Sequence, residues 1–90
     1  MDSPVHNPPD PAEPDQLIRL LSEEGMQERF SSIYPSRDSL RWAIRKHRSA
    51  LAKAGALYVI NGRNRFDPDR FAKTIADAGR QAALASASFG

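Results

Sequence analysis

Apolar residues recur at helical spacing in the first half of this 90-residue chain, alternate every second position past Gly55, and return to helical spacing after Asp67. Leu17, Leu20 and Leu21 predict a short first helix, with Asp15 as its N-cap and Gly25 at its C-terminal end. Met26 to Phe30 predicts a second short turn. The run Ser-Ser-Ile-Tyr-Pro-Ser then breaks the pattern, because Pro35 disfavours the helical conformation at Tyr34. Ser36 is the natural N-cap of the next helix, and neither Gly nor Pro interrupts the chain from there to Gly55. That stretch of about 18 residues predicts the longest element, with Leu40, Ala43, Ile44, His47, Ala50 and Leu51 on one side of the cylinder.

The β-branched and aromatic run after Gly55 ends in Asn61-Gly62, the strongest short-range signal for a two-residue type I′ hairpin. Strands over 57–60 and 63–66 follow, with Ile60 opposite Arg63. Leu57, Val59 and Phe66 then share a face given to the core, while Tyr58, Ile60, Arg63 and Arg65 share the other. Asp67-Pro68-Asp69 reads as N-cap, proline at the first helical position and an acid in the first turn. In the helix it starts, Phe71, Ala72, Ile75 and Ala78 point inward and Gly79 ends or loosens it. The expected class is α+β, mainly α, with one two-stranded hairpin.

Composition divides the chain in three. Residues 1–14 hold five of the seven prolines and little that is apolar, so they cannot offset the entropy of ordering and are expected to form a disordered acidic arm. Residues 15–79 make one domain, since a chain this short buries only about 60–65% of its unfolded surface and cannot divide that core. Residues 80–90 form an alanine-rich tail with one aromatic, Phe89, that is either frayed or waiting for another subunit. The absence of cysteine removes disulfides, a thiolate nucleophile and Cys-based zinc sites, and suits a reducing cytoplasm. With no long apolar run and no signal-peptide pattern, a soluble intracellular protein is expected.

Net charge changes the picture most. The total of +2 hides seven acids against Arg19 alone over residues 1–28, then eight Lys or Arg against Asp38 alone between Arg37 and Arg65. Arg37, Arg41, Arg45 and Arg48 fall within an arc of roughly 80° on a helical wheel. A cationic stripe on a helix is ordinarily a solvated face, but such faces mix signs, and this one does not. Arginine also brings a planar fork that holds phosphate or a guanine edge with two hydrogen bonds. The residues expected to meet DNA are Ser36, Arg37, Ser39, Arg41, Arg45, Lys46 and Arg48 on the helix and Arg63, Asn64 and Arg65 on the hairpin.

No set of residues converges for catalysis. His6 lies in the proline-rich arm, His47 sits on the apolar helix face as a core imidazole, and the serines lack a nucleophile-elbow context. No phosphate loop, metalloprotease motif or calcium loop occurs, so no enzyme, cofactor or metal is expected. Trp42 falls between the arginine and apolar arcs and is read as a core-edge aromatic rather than a base contact. RNA is disfavoured because no exposed aromatic platform for stacking single strands is present.

The order of elements is that of a compact winged helix-turn-helix. The run YPSRDSLRWAIRKHRSALAKAGALYVINGRNRFDPDRF resembles the small DNA-binding excisionases, or recombination directionality factors, of prophages and integrative conjugative elements, within the wider MerR-like and AlpA-like group. The likeness covers about residues 30 to 78: a Ser-Leu-Arg-Trp helix, a Gly-Arg-bearing wing and an Asp-initiated helix. It implies that Arg37, Ser39 or Arg41 lies near base edges, that Arg45, Lys46 and Arg48 follow the backbone, and that Arg63, Asn64 and Arg65 occupy the wing. It further implies cooperative binding at repeated sites beside an attachment site, DNA bending, a tyrosine integrase as partner, self-association on DNA and a place in the bacterial cytoplasm at the nucleoid. The longer helix, the acidic arm and the alanine-rich tail depart from the simpler members of the group. Two other readings share the same surface: a transcriptional regulator at a promoter, and a module whose basic face meets an acidic protein.

Overall fold

The computed structural model describes residues 14–87, which form five helices and one hairpin: α1 Pro14–Arg19, α2 Glu23–Arg29, α3 Arg37–Lys46, α4 Arg48–Lys53, β1 Leu57–Ile60, β2 Arg63–Phe66 and α5 Pro68–Ala87. The chain is mainly helical with a two-stranded antiparallel sheet, in agreement with the expected class. The predicted acidic arm, apart from Pro14, and the aromatic Phe89 lie outside the described residues.

The first two helices divide differently from the pattern in the sequence. Asp15 lies inside α1 rather than at its cap, and α1 stops at Arg19 instead of running to Gly25. Leu21 has left the helix because its backbone pairs with Phe66, donating its N–H at 2.8 Å and accepting that of Phe66 at 2.9 Å. Ser22 then caps α2, accepting the amide of Gly25 at 3.1 Å, so the expected turn at Met26–Phe30 is the latter half of a helix.

The hairpin follows its sequence signals. Asn61 and Gly62 both take positive φ, 54° and 73°, as the type I′ turn requires, and Ile60 pairs with Arg63. Ahead of it Gly55, at φ 74°, ends α4 with two bonds that satisfy its last carbonyls: Ala56 to Leu51 at 2.8 Å and Gly55 to Ala52 at 3.1 Å. Any side chain there would be strained by that φ and would meet the Arg70 guanidinium and the Tyr58 hydroxyl. Leu57 and Phe66 are buried, whereas Val59, assigned to the core from its alternation, is 58% exposed, and Tyr58 and Ile60 on the opposite face are half-buried.

Between these elements lies one core of Met26, Leu40, Ile44, Leu51, Ala56, Leu57, Phe66 and Phe71, with Leu21, Phe30, Tyr34 and Ile75 against it. Phe71 is its hub. Its ring meets Phe30 at 5.4 Å, Phe66 at 6.0 Å and Tyr34 at 6.3 Å, the last two edge-on, so the 30–34 connection, the hairpin and α5 are tied at one point. Asp67 caps α5 as expected, accepting the amides of Asp69 and Arg70 at 3.1 Å, with Pro68 at the first position. Gly79 does not end the helix, which continues to Ala87. Of the inward-facing positions predicted on α5, Phe71 is buried, Ile75 and Ala78 are half-buried and Ala72 is exposed.

Candidate nucleic-acid interface

The long helix expected from Ser36 to Gly55 is two helices, broken at His47, whose φ of −109° and ψ of 18° are not helical. No Gly, Pro or side-chain cap marks that point, so nothing local announces the break. His47 is half-buried at the junction and Ala50 is exposed, which leaves Leu40, Ala43, Ile44 and Leu51 as the buried face. Arg48 consequently opens α4, and only Arg37, Arg41 and Arg45 belong to α3.

A reciprocal pair of serines anchors the start of α3. The Ser36 hydroxyl accepts the Ser39 amide at 3.1 Å, and the Ser39 hydroxyl accepts the Ser36 amide at 3.2 Å while donating to the Ser36 carbonyl at 2.7 Å. Both residues were expected near DNA. The Ser39 proton is committed to its own helix cap, so these serines set the angle of the helix and Ser39 has no donor left for a base.

Arg37 and Arg41 share an open cleft of about 450 Å³ with Gly62, Arg63, Asn64 and Arg65. Four consecutive hairpin residues reach it because β2 is paired with β1 along one edge and, among the described residues, on the other only at Phe66 with Leu21, so its free edge near the tip borders the cleft. A second groove, of about 260 Å³, continues from Arg41 to Arg45 and Arg48 over Ile44. Six of the ten expected residues thus supply guanidinium groups to two adjoining hollows.

Lys46 is not among them. Its ammonium sits 4.7 Å from the Trp42 ring centroid, one turn back on α3, and it lines neither hollow. Trp42 is 56% exposed rather than packed at the core edge.

Sequence reasoning found the cations and missed the acids among them. Glu23 and Glu24, the first two residues of α2, line the same cleft. The Glu23 carboxylate accepts Nε of Arg41 through Oε1 and Nδ2 of Asn64 through Oε2, both at 3.1 Å. A Ser-Glu-Glu start to α2 was legible as a cap followed by acids that favour a helix N-terminus. That the cap faces the arginine helix depends on how α2 and α3 pack.

No protein-family model, curated protein or solved structure matches this chain. Arginines from α3 and from the hairpin line one open cleft together with the Glu23 carboxylate. Among the described residues no cluster of three or more His, Asp or Glu could hold a metal ion, and no helix is long and apolar enough to cross a membrane.

Proposed function

We propose that this chain binds duplex DNA as a winged helix-turn-helix. In this reading α2, the 30–36 connection and α3 form the helix-turn-helix, and the 57–66 hairpin is the wing. The observation that carries it is the convergence of Arg37 and Arg41 from α3 with Arg63 and Arg65 from the hairpin on one open cleft, continued by Arg45 and Arg48. A helix with its side chains is about 10–12 Å across and a major groove about 12 Å wide, so α3 can enter the groove while the hairpin follows the neighbouring phosphates.

Its task on DNA is architectural and non-enzymatic: to occupy repeated sites beside a recombination attachment site, bend them, and favour excision by a tyrosine integrase. The small footprint supports cooperative use, because a module of this size buries only about 600–1,000 Å² on DNA and gains occupancy from neighbours. A promoter-bound regulator would use the same face. Supplying the protein at constant integrase level separates the two, since excision rises only in the first case, and a footprint across the attachment region of the encoding element locates the sites.

Duplex binding itself is tested by salt titration. With four or more phosphates neutralised, log affinity falls with log salt at a slope of about −3.6 or steeper. Binding indifferent to salt would overturn the reading. Replacing Arg41 and Arg45 together with Ala weakens binding by about tenfold or more with the fold retained, since both side chains are exposed. Unchanged mobility-shift curves would retire this face.

A further inference from the structure

Two carboxylates sit in the cationic cleft, and they differ in what they touch. Glu23 is bonded at both oxygens, to Arg41 of α3 and Asn64 of the hairpin. Glu24, one residue on and in the same cleft, makes no side-chain hydrogen bond or ion pair among the described residues. An acid present only to balance charge would need neither the second bond nor a link between two elements.

We propose that Glu23 is a positioning residue that determines sequence specificity, holding Arg41 and Asn64 in fixed register so that Arg41 meets a guanine edge end-on. The inference rests on the duplex-binding reading above. Its chemistry follows from the guanidinium fork: Glu23 occupies Nε–H, which removes the side-on pairing through Nε and one Nη, and leaves the two Nη groups as the only bidentate edge. Two parallel N–H donors match N7 and O6 of guanine. Holding the long arginine side chain before DNA arrives also lowers the entropy lost on contact. The second bond fixes the hairpin against the same carboxylate, so the spacing between the base reader on α3 and the cations of the hairpin is set in the free protein. The negative charge repels phosphate wherever Arg41 finds no matching base, which penalises the wrong duplex more than the right one.

The wild-type protein, Glu23→Ala, Glu23→Gln and Glu24→Ala are each passed over a randomised duplex library, and affinities for the recovered and a scrambled duplex are compared at one salt concentration. The wild type selects a guanine in its site. Glu23→Ala binds the scrambled duplex several-fold more tightly, loses the guanine preference, and shows a ratio of recovered to scrambled affinity lower by about tenfold. Glu24→Ala removes the same charge and strengthens binding to both duplexes by one common factor. Glu23→Gln keeps an acceptor for Arg41 but turns a donor toward Asn64, so its ratio falls between the two, and it carries the test should Glu23→Ala melt early. Equal strengthening of both duplexes in the Glu23 variants, as in Glu24→Ala, overturns the positioning role while duplex binding stands. A wild-type library without a preferred sequence overturns it too, and a wild-type protein that binds no duplex at any salt sinks the duplex reading and this inference with it.

Discussion

The cleft and the distal half of α5 are assembled in opposite ways. Around the cleft α2, α3 and the two strands are four to ten residues each, too short to persist alone, and their charged side chains meet only because Met26, Leu40, Ile44, Leu57 and Phe66 are buried together beneath them. Residues 79–87 of α5 are all exposed, with Leu84 60% accessible, and the helix goes on there without a core. Four alanines between Ala82 and Ala87 favour it, and the turn that is costly to nucleate has already formed where Phe71 and Ile75 pack. Gly79 costs about 1 kcal/mol relative to alanine, too little to stop a helix being extended from a packed end. Charge density thus requires convergence of several elements, whereas a projecting helix requires only one anchored turn.

Breaking the anchor has the largest effect. Phe71→Ala removes the ring that meets Phe30, Tyr34 and Phe66 and lowers stability by about 3–5 kcal/mol, measured as the urea midpoint. That is most of what a domain this small possesses, so the proposed duplex binding falls with it. A loss under about 1 kcal/mol would mean that the cleft's elements are held together elsewhere.

A smaller effect follows from the 30–34 connection. Burial pushes the Tyr34 phenol above its ordinary value of 10.0, because the anion is poorly solvated there. The folded value exceeds the unfolded one, so the neutral phenol's contribution is fully present below 10.0 and is lost as pH rises through the folded value. Tyr34→Phe flattens the loss of stability on going from about pH 9 to about pH 11 in urea titrations. Identical alkaline slopes in the two proteins would mean that the phenol is solvated alike in the folded and unfolded chain.

Deleting residues 80–90 has the least effect on stability, about 0.5 kcal/mol or less, because no buried side chain is lost among the described residues. The helical circular-dichroism signal drops while the melting temperature holds, and the proposed cooperative occupancy of adjacent DNA sites declines. A melting temperature lowered by more than about 5 °C would show the distal half packing in solution, ending its contrast with the cleft.

Much of this was legible along the chain. Asn61-Gly62, Gly55, Asp67-Pro68 and Ser36 each act through their own backbone geometry or hydrogen bonds to residues within a turn, so the hairpin, both helix starts and the end of α4 could be placed from local chemistry. The exit of Leu21 from its helix could not, since its partner Phe66 is far along the chain. The misplacement of Val59 has a related cause: alternation reports which face a strand residue takes, not how far the core extends beneath it.

Composition and spacing by themselves determined that cations of one kind gather on a helix and a hairpin, because charge and periodicity are properties of neighbouring residues. Tertiary packing alone decided the break at His47 and the placing of Glu23 between Arg41 and Asn64, whereas Lys46 meets Trp42 through helical spacing within α3. Side chains far apart in sequence become partners only once the core beneath them has fixed the distance and angle between their elements.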